Sequence, residues 1–371
     1  MMRGAAAATS LPPSLGSWRR PRLHGASVAR MVRELDAGVL RFHLEYELRL
    51  WLRRRVAGLH TEHPTALYLE TSSYCEGACA DCYVPAVDRR RHLELDADTL
   101  ERLIADAERL PLAFVCLVGG EPLDGSVAER NLRLVREHPR TRFLICTSGE
   151  PQIGRDLVRE LGTLCNLSLL VSFEGLAETH RRIRPRGSFE RACAAVHTYR
   201  RQGRGMCGAS ITLRTDNWRE ATSRAFVESL TAAGCHFLSY APCETRDGRQ
   251  ALDPERYAHA LARLAALSAS ATALIFCHPF GQILGGKVPT VQRLRSLTVD
   301  YAGNVYTARR GPSFGNVHRT DLSTLLARPD LRASYGVPEA TGAAPAPASR
   351  HQGGDRGGLR GVAAASDGSC G

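Results

Sequence analysis

Between about residues 63 and 285, short apolar runs alternate with stretches of helical periodicity. Runs near Leu67–Thr71, Phe114–Val118, Arg142–Thr147, Leu167–Phe173, Cys207–Leu213 and His236–Ala241 have strand length and strand composition. Helical patterns fall between and after them. Asp98-x-x-Glu101 resembles a capping box, and apolar Leu100, Leu103, Ile104 and Ala107 follow at helical spacing as far as Pro111. Ser188 suits the N-cap of a helix running to Gly203, and Asp253-Pro254 opens another with proline at the first helical position. Six β-then-α units in succession predict an α/β fold with a parallel sheet. Right-handed crossovers curl such a sheet toward a barrel, and six units fall short of the eight that close one. The expected architecture is a partial (β/α)6 barrel, with its chemistry in the loops at the carboxyl ends of the strands.

The pattern fades at both ends. Residues Met1 to Arg33 hold six arginines and no acidic residue, the composition of an organellar transit peptide. They lack amphipathic periodicity, which favours a plain disordered leader or a true start at Met31. Glu34 to Val56 is expected to form an amphipathic helix with Leu40, Leu44, Leu48 and Trp51 roughly on one face. From Val337 to Gly371 there is no aromatic residue, and Ala, Gly, Pro and Ser dominate, so disorder is expected there. The implied organisation is a basic leader and helix (1–62), a barrel (63–285), a small hairpin extension (286–336) and a tail (337–371).

Composition narrows the function only slightly. The chain has 371 residues and a net charge of +11, and its single lysine, Lys287, leaves arginine as nearly the whole basic content. The arginines are spread along helices beside acidic partners, so neither a nucleic-acid stripe nor a nucleic-acid-binding module emerges. No apolar run reaches the ~20 residues that span a bilayer. Twelve cysteines in a chain this long do not make a disulfide-stapled mini-scaffold.

Three of those cysteines stand together. After the first strand the chain reads Glu70-Thr-Ser-Ser-Tyr-Cys75-Glu-Gly-Ala-Cys79-Ala-Asp-Cys82-Tyr83, a C-x3-C-x2-C in the loop where a barrel's site belongs. Gly77 and Ala78 keep that loop small. Three thiolates on a [4Fe–4S] cube leave one iron without a protein ligand. Structural zinc is the rival, but it usually takes four protein ligands in two close pairs, and the remaining cysteines form no second short-spaced pair.

This spacing, followed by Gly119-Gly120-Glu121-Pro122 after the second strand, resembles the radical S-adenosylmethionine (radical SAM) superfamily. The resemblance implies Cys75, Cys79 and Cys82 as ligands of one [4Fe–4S] cluster, with S-adenosylmethionine chelated at the open iron. It implies cleavage to methionine and a 5′-deoxyadenosyl radical that abstracts hydrogen from a substrate, the hard chemistry being the cofactor's. Gly119, Gly120, Glu121 and Pro122 would line the methionine end, with Glu121 accepting from the ammonium. Thr147-Ser148-Gly149 resembles a turn near the ribose. Ser172, Glu174, Gly175, His180, Arg184 and Gly187-Ser188-Phe189 resemble the S-x-D-G…H-x3-R-x2-G-S-F stretch of the peptide- and sulfatase-maturing branch, which implies cofactor contacts for Ser172 and Arg184. Glu174 stands where that branch has Asp. Asp81 stands where an aromatic residue is common. Asn217 and Glu244 follow the fifth and sixth strands and are expected at the same mouth.

Asp300 to Ala308 and Phe314 to Val317 resemble the hairpin of the SPASM extension, which usually carries cysteines for auxiliary clusters. Ala308 occupies one such position and Thr341 to Ala344 a second, so a cysteine-poor extension without an auxiliary cluster is expected; Cys243 and Cys277 remain as stray candidates. Three functions follow. The first is a radical SAM enzyme in peptide maturation of the ribosomal natural-product type, with the 34–56 helix as a candidate leader-binding element. The second acts on a small molecule such as a sugar, nucleoside or lipid intermediate. The third is a non-catalytic cluster-binding barrel. The resemblance also implies a reductant such as flavodoxin or ferredoxin, and an oxygen-labile cluster beside free thiols suits the cytoplasm.

Overall fold

A computed structural model describes residues 25–56, 64–79, 81–149, 155–202, 205–244, 249–277, 281–283, 295–307 and 311–334. The strands are β1 (Ala66–Ser72), β2 (Phe114–Gly119), β3 (Phe143–Thr147), β4 (Leu167–Phe173), β5 (Cys207–Leu213), β6 (Phe237–Pro242), β7 (Leu274–Cys277), β8 (Gly281–Ile283), β9 (Ser296–Val299) and β10 (Val305–Tyr306). The helices are α1 (Gly25–Glu34), α2 (Ala37–Val56), α3 (Ala86–Arg91), α4 (Ala97–Glu108), α5 (Gly125–Glu137), α6 (Arg155–Thr163), α7 (Ala177–Ile183), α8 (Phe189–Gln202), α9 (Trp218–Ala221), α10 (Arg224–Ala233), α11 (Pro254–Ser268), α12 (Leu322–Leu326) and α13 (Pro329–Ser334).

All strands join one open sheet in the order β10-β9-β1-β2-β3-β4-β5-β6-β7-β8. Neighbours from β9 to β7 run parallel, and only the edge strands β10 and β8 are antiparallel. This is the expected partial barrel, with two parallel strands beyond the six read from the sequence. Both additions are four residues long, too short to show a strand pattern against their surroundings. Alternate residues face the helices and are fully buried: Leu67, Leu69, Val115, Leu117, Ile145, Leu169, Val171, Ala209, Ile211, Leu238 and Tyr240. The others face the concave side. Tyr68 meets Phe114 there edge-on, and Phe237 meets Phe276. The pairing Ser172–Ser210–Ser239 sets a row of hydroxyls across β4, β5 and β6 on the same side.

Local signals set the helix starts. Asp96, not Asp98, caps α4: its Oδ1 accepts from Thr99 N–H at 2.8 Å, because three residues of reach fit Asp96 to the first free amide. Ser188 accepts from Arg191 N–H at 3.3 Å and Asp253 from Arg256 N–H at 2.8 Å, as their sequences predict. Gly203, the expected end of α8, lies outside the described residues, as does the tail from Val337.

The amino-terminal region departs from expectation twice. Residues 25–34 form a helix rather than a disordered leader. Ser27 is buried, and the Arg30 guanidinium donates to the carbonyls of Thr231 and Cys235. The helix expected over 34–56 begins at Ala37, after a break from α1, and of the face named for it Leu40 is half-buried while Leu44 is 71% and Trp51 54% exposed, with Leu48 alike. Instead α2 docks through Val39, Tyr46 and Leu50. The Tyr46 hydroxyl donates to Leu112 O at 2.9 Å, and Arg142 stacks on its ring at 4.2 Å. A cation–π contact plus a buried hydrogen bond outweighs the leucine stripe in orienting the helix. Leu112 and Arg142 precede β2 and β3, so α2 covers the amino-terminal end of the sheet and leaves the carboxyl end to the site.

Candidate active site

The first strand breaks its register with β2 between Glu70 and Ser72, a distortion of the kind found beside functional loops. The chain then enters the cysteine loop. Ser73 holds its base: its hydroxyl donates to Asp88 O at 2.6 Å and accepts from Leu93 N–H at 2.9 Å. Cys75, Cys79 and Cys82 are all partly exposed free thiols. A Cβ at Gly77 would lie 3.1 Å from the Cys75 sulfur and 3.8 Å from that of Cys79, so both sulfurs face the space the missing side chain leaves. Burial pushes the Cys75 thiol up to about 11 despite the Gly77 N–H on its sulfur, and raises Cys82 as well. Among the described residues no three His, Cys, Asp or Glu side chains converge on a single-ion site. In a cluster each cysteine meets its own iron, so its thiols need to be neighbours and need not converge on one point.

Opposite the loop, β2 ends at Gly119 and Gly120 follows. Gly119 has φ +127°, and a Cβ on it would collide with the Ser72 carbonyl; one on Gly120 would collide with that of Tyr74. Gly120 N–H donates to Ser72 O at 2.6 Å and Glu121 N–H to Tyr74 O at 2.7 Å. The two glycines therefore let β2 lie against the cysteine loop backbone to backbone. The Tyr83 hydroxyl adds a bond to Gly119 O at 2.8 Å. Pro122 continues the turn, and its carbonyl accepts from Asn131 at 2.9 Å. Glu121 is buried and points to β3: Thr147 Oγ1 (2.6 Å) and Leu123 N–H (3.2 Å) donate to Oε1, and Ser148 Oγ (2.7 Å) and N–H (2.8 Å) donate to Oε2. Burial raises its carboxyl against the pull of these donors. Four donors occupy about four lone-pair sites, so an ammonium would have to displace one of them.

Arg184 follows α7 and reaches back to Glu174, giving Nε and Nη2 to the same oxygen at 2.9 and 2.8 Å. The second Glu174 oxygen is buried without a partner. Burial opposes the Arg184 charge, but Glu174 and the nearby thiols of Cys79 and Cys146 raise its pKa overall. Glutamate in place of the aspartate of the resembled motif thus meets the guanidinium on one edge, leaving Nη1 for another acceptor. Ser172 lies 3.9 Å from the Cys146 sulfur on the concave face. His180 is fully buried between Phe173 and Phe189, with neither ring nitrogen bonded. Asn217 links the ends of β4 and β5: its amide donates to Glu174 O and Thr212 O, and its oxygen accepts from Arg214 N–H. Glu244 is exposed. Cys277 faces the helices, where burial pushes its thiol up to about 12, and Cys243 is buried. Ala308 and Thr341–Ala344 lie outside the described residues.

Residues 69–226 match the family model described as the Radical SAM superfamily. This segment is a radical SAM domain. The superfamily works with a [4Fe–4S] cluster and S-adenosylmethionine, which makes the chain an enzyme with those cofactors. No curated protein matches the sequence. Among solved structures, Streptococcus suis SuiB bound to precursor peptide SuiA superposes with a TM-score of 0.57 at 14% identity, over 78% of this chain and 71% of that one. Native anSMEcpe with bound AdoMet and Kp18Cys peptide gives 0.54 at 16%, over 74% and 83%. These likenesses show a shared fold for the radical SAM domain and its surroundings.

Sequence reading missed Arg214, which turns out to hold the loop's Asp81 at 2.7 Å. The signal was available: a carboxylate between two candidate ligands calls for a cation, and Arg214 directly follows β5. It also missed Arg89 and Arg186, which give Nη1 to Gly77 O (2.8 Å) and Glu76 O (2.7 Å); no pattern in sequence marks a guanidinium bound for a backbone carbonyl.

Proposed function

We propose that this radical SAM enzyme modifies a peptide, with Cys75, Cys79 and Cys82 as the cluster ligands. The observation that carries the ligand assignment is the pair of Cys75 and Cys79 sulfurs about Gly77, with Cys82 near enough to act on both electrostatically. Bound together, the cluster and S-adenosylmethionine supply reductive cleavage of the sulfonium and hydrogen abstraction from a substrate. The chain's own residues bind and orient. Gly119 and Gly120 let β2 press against the cysteine loop and so set where the methionine end of the cofactor would lie, Arg184 offers its free Nη1 edge to a carboxylate, and Ser172 offers a hydroxyl on the concave wall. Glu121 holds the β2 turn to β3, and the amide-rich edge it organises borders the cofactor's methionine end.

Two supports favour a peptide substrate. The strand-four stretch resembles the peptide- and sulfatase-maturing branch, and SuiB and anSMEcpe were solved with peptides bound. A small-molecule substrate is the second reading, favoured by Ala308 in place of an auxiliary-cluster cysteine. A cytoplasmic location and a flavodoxin or ferredoxin reductant fit an oxygen-labile cluster. Anaerobic reconstitution tests the ligand assignment. The wild type is expected to show a cubane by electron paramagnetic resonance and to form 5′-deoxyadenosine, and Cys79→Ala to lose both. Retained cleavage in that variant, or zinc in the wild type, refutes the assignment. Mass change in a candidate precursor peptide, against none in sugar or nucleoside intermediates, decides the substrate class.

A further inference from the structure

The cysteine loop has little structure of its own. Among the described residues from 75 to 82, the one internal backbone bond runs from Cys82 N–H to Cys79 O at 3.4 Å, and a second stabilising contact is Gly77 N–H on the Cys75 sulfur at 3.2 Å. A loop so sparsely bonded depends on partners from elsewhere for its carbonyl groups and its charge. Three guanidinium groups supply them, from three separate elements. Arg89 on α3 takes the Gly77 carbonyl, and Arg186, just past α7, takes that of Glu76. Arg214, at the end of β5, takes the Asp81 carboxylate. Gly77 and Glu76 lie between Cys75 and Cys79, and Asp81 abuts Cys82, so both halves of the ligand set are held.

We propose that Arg89, Arg186 and Arg214 clamp this loop, with Asp81 as the anion of the clamp, and keep its thiols close together before a cluster is loaded. The proposal rests on the reading of Cys75, Cys79 and Cys82 as ligands. These four are positioning residues. Asp81 is the informative member, because the position is commonly aromatic in the resembled family. Here a charge has replaced a ring, and the facing strand supplies its counter-charge. Arg214 is 6% exposed and spans two carboxylates, giving Nε to Asp216 Oδ1 at 3.0 Å. Asp216 in turn receives Arg182 from α7. The chain Asp81–Arg214–Asp216–Arg182 therefore ties the cysteine loop to both β5 and α7. A sheltered charge pair of this kind is costly to break from one side, whereas the exposed Arg186 contributes less.

The test uses the full chain. Amide hydrogen exchange of residues 75–83 is measured without metal, and iron loss to a chelator is measured after anaerobic reconstitution. Asp81→Asn and Arg214→Gln are each expected to speed both by about tenfold, the scale of one lost charged hydrogen bond. The double variant is expected to be no worse than Arg214→Gln alone, since both singles remove the Asp81 pair and only Arg214→Gln also loses Asp216. Arg89→Gln and Arg186→Gln are expected to show smaller changes. Arg214→Lys, which keeps the charge but not the fork, is expected to fall between wild type and Arg214→Gln. Unchanged loop exchange in Asp81→Asn, or additive effects in the double variant, overturns the clamp. Should Arg214→Gln fail to fold, Asp81→Asn decides alone, since it removes only the anion. The ligand reading fails differently: a wild type that never takes up a cubane refutes it, while the metal-free exchange still tests the clamp.

Discussion

At the scale of single residues, the site depends on what is left out as much as on what is present. Gly119 and Gly120 were legible as a motif, and the structure supplies the reason: carbonyls of the cysteine loop occupy the volume a side chain would need. Glu121 was legible in position but not in engagement. Its four donors come from β3 and from its own turn, and no spacing in the sequence links residue 121 to residues 147 and 148. His180 is a third kind of case. It was legible as part of a motif, and the structure encloses its ring between phenylalanines with both nitrogens unbonded. Burial, then Arg184, pushes its pKa down from 6.5 to about 4. The fold therefore holds the neutral ring. As pH falls from about 6.5 toward about 4, the unfolded chain takes up a proton that the fold refuses, so stability is full above that window and lost on descending through it. His180→Phe removes this contribution and two unsatisfied nitrogens. The variant is expected to be as stable as wild type or more so at pH 7.5, and its urea midpoint is expected to fall less between pH 7.5 and 5. An identical fall in both proteins contradicts this account.

At the scale of elements, strands proved more readable than helix faces. Each strand of the first six is buried on its outer face and bounded by turns, so its run of apolar residues stands out in one dimension. The orientation of α2 does not, because apolar and charged residues are spread nearly all round the helix. Which side docks is decided by Tyr46, Leu112 and Arg142, and two of those three lie far along the chain. The assignment has a direct check. Leu50→Ala, in the docked face, is expected to cost about 2–4 kcal/mol by chemical denaturation. Trp51→Gln, one residue on, is expected to stay within about 0.5 kcal/mol of wild type. Equal costs at the two positions would mean that the helix docks otherwise. The loop between β1 and α3 was legible through its cysteines, yet the arginines that hold it come from three other elements, and only the fold brings them there.

At the scale of the whole molecule, the segment read as a carboxyl-terminal extension takes part in the barrel's own sheet. Residues Ser296 to Val299 pair in parallel with Ala66 to Leu69, and Leu297 and Val299 are fully buried beside them. Tyr301, in the turn that follows, donates to Asp88 at 2.6 Å, on the same residue whose carbonyl accepts from Ser73 at the base of the cysteine loop. Deleting the chain from Arg295 onward is expected to bare the β1 edge and the outer core, giving aggregated protein; soluble, folded material on gel filtration would show that β1 does without this neighbour. The strand was hard to recognise because four residues suffice when both flanking surfaces are already built.

The pairing of β9 with β1 also orders events during synthesis. Ser72 leaves the ribosome 224 residues ahead of Ser296, a gap of roughly 10–45 s at about 5–20 residues per second. Through that interval the strand leading into the three cysteines has a bare edge and no overlying hairpin turn. The nascent chain thus passes through a stage in which the strand that leads to the cysteines is open along the edge that β9 later covers.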